Sequence, residues 1–80
     1  MKVYVEVQAV FGTEGQLRPT GLTWRDGRKY TVDRVLRVQR CASRKAGGAG
    51  IMYTCRIRGQ EVHLFFEEDR WFVDAVEDGA

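Results

Sequence analysis

Apolar and polar residues alternate along most of the chain, which is typical of half-buried β-strands. The first predicted strand places five apolar residues on one face: Val3, Val5, Val7, Ala9 and Phe11. The same period of two recurs through the rest of the chain, and no segment with a helical period is longer than one turn. The pattern therefore predicts six β-strands within a single domain that spans residues 1–80.

The later strands carry inward faces of the same kind. These faces are Leu22 and Trp24 in strand two; Tyr30, Val32, Leu36 and Val38 in strand three; Ile51, Tyr53, Cys55 and Ile57 in strand four; and Val62, Leu64, Phe66, Trp71 and Val73 in strands five and six. In strand three, Arg34 falls in the inward phase whereas Val35 falls in the outward phase. A bend or β-bulge is therefore expected at this point.

Short turns connect these strands so that apolar residues lie opposite apolar residues. A turn at Glu14-Gly15 pairs Val7 with Leu22, and a three-residue loop with Gly27 as the bulge pairs Trp24 with Tyr30. A turn at Gly59-Gln60 pairs Ile57 with Val62, and a turn at Glu68-Asp69 pairs Phe66 with Trp71. A glycine-rich loop, which is expected to be mobile, pairs Val38 with Ile57. The agreement predicts an all-β fold, a six-stranded antiparallel meander rolled into a small, partly open SH3-like barrel. Whether the first and last strands pair stays open.

Charge is divided unevenly along the chain although the formal net charge is only +2. Residues 18–58 contain 11 Arg or Lys against two acidic residues, whereas residues 59–80 contain one Arg against seven acidic residues. Such a division indicates either a basic binding face or strands that neutralise one another once folded. The second interpretation is the more ordinary one.

Phe65 and Phe72 fall on the outward face of the last two strands, together with His63 and Asp74. The predicted registers place Arg37 opposite Arg58, and Arg56 beside His63. A basic and aromatic outer face on strands three to six is thus the candidate binding surface. Its residues are Arg37, Arg56, Arg58, His63, Phe65, Phe72 and Asp74, with Arg44 and Lys45 reaching it from the glycine-rich loop.

Three interpretations account for two phenylalanines on this face. They could be covered by the C-terminal segment or by the glycine-rich loop, they could mediate a homodimer or contact a protein partner, or they could stack on the bases of single-stranded nucleic acid. We predict a non-enzymatic binding or interaction module that uses this face for self-association or a protein partner. Binding of single-stranded DNA or RNA is the alternative.

The residues that could support catalysis or metal binding are few. Cys55 points inward, as a small buried hydrophobe, and Cys41 points outward, so a disulfide between them is not expected. His63 opposite Asp74 resembles half of an acid/base pair, but no nucleophile and no pocket are expected beside it. No zinc-ligand spacing and no complete phosphate-loop motif occur. We therefore predict no enzyme activity, no cofactor and no metal.

The start of the chain, "MKVYVEVQAVF", is interrupted by Glu6 and Gln8, so we expect neither a signal segment nor a membrane span, and a cytoplasmic location. The segments "LTWRDGRKYTVDRVL", "AGGAGIMYTCRIRG" and "LFFEEDRWFV" resemble a set of small bacterial, Firmicutes-like proteins of a domain family with no assigned function. The resemblance implies one compact β domain in a bacterial cytoplasm and transfers no catalytic residue. Somewhat similar "W…G…Y.V..V" barrels accompany DNA-repair polymerase subunits, which adds to the nucleic-acid alternative.

Overall fold

The computed structural model describes residues 2–42 and 49–74, without the side chains of residues 41, 42 and 49. Every element in these ranges is a β-strand. The strands are β1 (Lys2–Tyr4), β2 (Glu6–Phe11), β3 (Leu17–Thr23), β4 (Lys29–Thr31), β5 (Arg34–Ala42), β6 (Ala49–Ile57), β7 (Gln60–Glu67) and β8 (Arg70–Asp74). They form a five-stranded sheet in the order β1-β8-β7-β6-β5 and a three-stranded sheet in the order β2-β3-β4. The all-β prediction is confirmed.

Two of the six predicted strands are interrupted, and this gives eight strands in place of six. The first strand breaks at Val5, whose N–H donates to the carbonyl of Trp71 at 3.1 Å, so β1 and β2 belong to different sheets. The third strand breaks between β4 and β5, where the Asp33 N–H donates to the carbonyl of Arg56 at 2.9 Å. The first and last strands pair with each other, but the two sheets do not close into a barrel. The SH3-like barrel is not confirmed.

The hairpin registers are partly as predicted. The β7–β8 turn at Glu68-Asp69 places Phe66 opposite Trp71 and Leu64 opposite Val73, as expected. Both turn residues have positive φ, 54° and 63°, which is the backbone of a type I′ turn. The pairing of Val7 with Leu22 is also confirmed.

Three other registers differ from the prediction by an even number of residues, so the inward faces of β3, β4, β6 and β7 are kept. The β6–β7 turn lies at Arg58-Gly59, which places Cys55 opposite Val62 rather than Ile57. The three-residue loop with Gly27 at its last position is present, but it places Leu22 opposite Tyr30. In β5, Val38 lies opposite Tyr53 rather than Ile57.

A β-bulge occurs in β5, as the change of phase near Arg34 predicts. Val35 lies opposite Cys55 and Arg37 lies opposite Thr54, so Leu36 is the extra residue between them. Because the bulge reverses the phase, Val35 packs against the core and Leu36 stays exposed, which is the reverse of the prediction.

The core lies between the two sheets. Its fully or almost fully buried members are Leu22, Tyr53, Cys55, Ile57 and Leu64. The tyrosine hydroxyl donates to the carbonyl of Leu17 at 2.7 Å and so ties the five-stranded sheet to β3. Trp24 and Trp71 are partly buried against this core, as their phase predicts.

Some residues of the predicted inward faces are exposed. Phe11 at the end of β2 is 75% exposed and Val38 in β5 is 58% exposed. Both lie on strands that form the edge of their sheet. Among the described residues there is no helix, and hence none that could cross a membrane.

Candidate functional site

An aromatic row crosses the outer face of the five-stranded sheet. The paired registers place Tyr4 opposite Phe72, Phe72 opposite Phe65, and Phe65 opposite Met52. The Phe65 and Phe72 rings stack with their centroids 5.0 Å apart and their planes at 7°, and Tyr4 meets Phe72 edge-on at 5.7 Å. The predicted pairing of Phe65 with Phe72 is therefore confirmed.

Residues of β1 cover much of this row. Lys2 Nζ lies 4.7 Å from the centroid of the Phe72 ring and bonds Glu67 Oε1 at 3.3 Å, so the lysine side chain extends over the ring. The Arg70 guanidinium lies 3.7 Å from the Tyr4 ring centroid. Phe72 is only 6% exposed although it points away from the core. The cover comes from β1, an element that the sequence interpretation did not consider for this role.

Three arginines lie together where β5 meets β6 on the same face. Arg34 lies directly opposite Arg56, and Arg37 follows the bulge on β5. On the other side of Arg56 the register places Glu61, whose Oε2 lies 3.7 Å from His63 Nε2. We call Arg34, Arg37 and Arg56 the basic corner.

A trough of about 410 Å³ runs beside the basic corner on the outer face. Leu36, Met52 and Thr54 form its apolar and neutral part, while Arg37, Glu61 and His63 supply charged or titratable groups. It is open to solvent and lined by side chains of β5, β6 and β7. The arrangement offers contacts to a polar, elongated ligand.

The structure does not bring every predicted site residue together. Arg37 does not face Arg58, because Arg58 occupies the β6–β7 turn with φ 52°. Thr54, not Arg56, lies opposite His63. Asp74 lies opposite Lys2 in the β1–β8 ladder, and the β7–β8 ladder ends before it would pair His63 with Asp74. Arg44, Lys45 and the C-terminal segment lie outside the described residues.

Cys55 is a free and fully buried thiol, as its inward phase predicts. Burial raises the pKa of this thiol to about 11, so it stays protonated at neutral pH. Burial, followed by repulsion from Cys55, raises the pKa of Tyr53 as well. Cys41 lies opposite Gly50 rather than Thr54. Within residues 2–42 and 49–74, no three His, Cys, Asp or Glu side chains are grouped to hold a metal ion.

A second site, which the sequence interpretation missed, lies between the two sheets. It is a cavity of about 530 Å³ whose apolar walls are Leu22, Trp24, Tyr30, Ile57, Val62 and Val73, and we call it the inter-sheet cavity. The signal that could have found it is the change of phase near Arg34, because it marks where strand three divides into β4 and β5 of different sheets.

Comparisons with protein-family models, with curated proteins and with solved structures find no match to this chain. The resemblance to small bacterial proteins therefore stays a prediction from the sequence segments that carry it.

Proposed function

We propose that this chain is a non-enzymatic binding module that holds an acidic, extended segment of a partner protein on its outer sheet face. The observation that carries the proposal is the basic corner, where Arg34 lies directly opposite Arg56. Like charges opposite each other destabilise a sheet unless an anion lies between them. Among the described residues, Glu61 is the one carboxylate in register beside this pair, and it also approaches His63.

The free edge of β5 adds a second means of binding. The strand is nine residues long and ends the five-stranded sheet, so no described strand pairs with its outer side. An exposed edge of this kind can accept an additional strand through its unpaired N–H and C=O groups. Leu36 and Val38 are exposed along it and could contact apolar residues of the added strand.

The charges of β5 favour a different protein over a second copy of the chain. Arg34, Arg37 and Arg40 all belong to this strand, which contains no acidic residue. Pairing of two β5 edges would bring like charges together, whereas an acidic segment would neutralise them. Self-association through Phe65 and Phe72 is also less favoured, because Phe72 is already buried within the chain.

Single-stranded nucleic acid is the second candidate. The observation in its favour is that the row next to Arg37 and Thr54 contains Phe65, whose ring is only partly buried. Arginines beside an accessible aromatic ring are the usual means of binding a single strand. The neighbouring ring of Phe72, which stacks on Phe65, is not accessible to a ligand. The aromatic surface on which bases could stack would therefore be smaller than the sequence predicts.

Binding to a labelled peptide of alternating glutamate and valine tests the proposal, with an oligothymidylate of equal charge as the second probe. We expect the peptide to bind the wild-type protein, and its affinity to fall as salt is added. Arg34→Gln and Arg56→Gln should each weaken binding by about fivefold to tenfold, as expected for loss of a charge-assisted contact. Arg18→Gln is the matched control, because Arg18 is exposed on the three-stranded sheet.

Equal losses for Arg18→Gln and Arg34→Gln would contradict the proposal, because net charge alone would then explain binding. Tighter binding of the oligothymidylate, abolished by Phe65→Ala, would replace the protein partner by nucleic acid. The SH3-like character of the fold and the bacterial, cytoplasmic setting are proposals that rest on the sequence.

A further inference from the structure

The inter-sheet cavity has the size and walls of a ligand site. Protein interiors are packed about as densely as organic crystals, and they leave few voids larger than a water molecule. The inter-sheet cavity, at about 530 Å³, is far larger than such voids, and it opens to solvent at its rim, so a ligand could enter it. It falls within the roughly 300–1,000 Å³ that small-molecule pockets occupy.

The walls come from both sheets. Leu22 and Tyr30 lie opposite each other on the three-stranded sheet, and Trp24 follows at the end of β3. Val62 and Val73 lie across from them on the five-stranded sheet. Aromatic rings on one side and branched aliphatic side chains on the other favour an apolar ligand body.

The rim of the cavity is polar and carries one positive charge. Arg58 and Gln60, on either side of Gly59 in the β6–β7 turn, supply it. The turn is held in place because the Arg58 N–H donates to Asp33 Oδ2 at 3.2 Å. No carboxylate in the described part of the chain pairs with the Arg58 guanidinium, so its donors are available to a ligand.

We propose that the inter-sheet cavity binds a small molecule with an apolar body and one carboxylate. The body lies between the sheets against Trp24 and Tyr30, and the carboxylate accepts hydrogen bonds from the Arg58 guanidinium at the rim. This site is separate from the basic corner and does not depend on the function proposed there. The charge at the rim distinguishes the ligand from a neutral hydrocarbon, because a guanidinium binds a carboxylate through paired hydrogen bonds.

Octanoate and 1-octanol are the probes, since they share an alkyl chain and differ in charge. In two-dimensional ¹H–¹⁵N spectra, octanoate should shift the indole N–H resonance of Trp24. Octanoate should bind about tenfold more tightly than octanol, the difference expected for one hydrogen bond to a charged group. Arg58→Gln should remove this preference and leave octanol binding unchanged. Equal affinities of the two probes for the wild-type protein, or no shift at Trp24, would overturn the proposal.

A filled cavity provides the second test. Val62→Phe adds volume inside the cavity and should abolish octanoate binding. Val38→Phe is the matched control, because Val38 is 58% exposed on β5 and does not line the cavity. Octanoate binding that survives Val62→Phe would contradict the proposal. A concentration-dependent dimer that octanoate leaves intact and Val62→Phe dissociates would assign the cavity to a second copy of the chain instead.

Discussion

The two faces of the five-stranded sheet both bury apolar side chains, but they do so by different means. On the inner face, Leu64 is 0% exposed within the core cluster, which also contains Tyr53 and Cys55 and, from the three-stranded sheet, Leu22. On the outer face, Phe72 is 6% exposed, and no sheet formed by the described strands lies above it. Its cover is made by the neighbouring side chains Phe65 and Lys2, with Tyr4 edge-on beside them.

The difference shows that burial and core membership are separate properties in a small domain. A side chain enclosed by another sheet has neighbours that are themselves fixed by backbone hydrogen bonds, so they relax little when it is shortened. A side chain covered by its strand neighbours has flexible groups above it, which can move to fill the space. The burial of both Leu64 and Phe72 therefore does not imply equal contributions to stability.

Shortening the two side chains is the strongest test of this comparison. Leu64→Ala should lower the free energy of unfolding by about 4 kcal/mol, because the enclosed site keeps a cavity. Phe72→Ala should cost about 2 kcal/mol, the transfer term alone, since Lys2 and Tyr4 can settle onto Phe65. Urea unfolding of each variant measures the difference, with unchanged m-values as the check that the denatured state is comparable.

The larger ring makes the contrast informative. Phe72 contains more apolar surface than Leu64, so area alone would give the opposite order. If Phe72→Ala costs as much as Leu64→Ala or more, the outer row is as rigid as the core and the comparison fails.

The inner face carries a titratable thiol that sharpens the comparison. Burial raises the pKa of Cys55 to about 11 in the folded protein, above the value of about 8.5 to 9 expected in the unfolded chain. Between these values the unfolded chain releases the proton and the folded chain retains it, so stability falls as pH rises. The loss should reach about 1–2 kcal/mol at pH 10.

Cys55→Ala is the control for this pH dependence. Its stability should be lower at pH 7, because a buried group has been shortened, but it should decline less between pH 8 and 10 than that of the wild-type protein. Thermal or urea unfolding across this range measures both slopes. Parallel curves for the two proteins would show that the thiol ionises equally in both states and is not enclosed as the structure describes.

Local signals in the sequence account for much of the fold. Alternation gives the inward residues of β6, β7 and β8, and the Glu68-Asp69 turn gives the register of the last hairpin. The β6–β7 register was wrong by two residues because glycine suits either central position of a tight turn. Gly59 second in the turn gives type I′ with Arg58 at positive φ, whereas Gly59 first would give type II′. Turn chemistry alone does not decide between them.

The candidate site was less predictable, because its features depend on contacts between distant parts of the chain. The pairing of Phe65 with Phe72 follows from a local hairpin and was predicted. Their cover requires β1 to pair with β8, which joins the two ends of the chain. The inter-sheet cavity requires the break between β4 and β5. The change of phase near Arg34 predicts a bend there, but no local pattern specifies which residues of the two sheets the break brings face to face.

Lys2 gives the smallest effect and the most direct test of how the outer row is covered. Its side chain can protect Phe72 through the aliphatic stem or through the ammonium group, which lies 4.7 Å from the ring centroid. Lys2→Met keeps a long apolar side chain and removes the charge, and it should lower stability by no more than about 0.5 kcal/mol. Lys2→Ala removes both and should lower it by about 1 kcal/mol. If the two variants lose the same stability, the ammonium contacts with Phe72 and Glu67 provide the cover, and adding salt should weaken the wild-type protein to their level. A smaller loss for Lys2→Met assigns the cover to the hydrocarbon stem, which is the arrangement expected when a sheet face is sealed by its own neighbours.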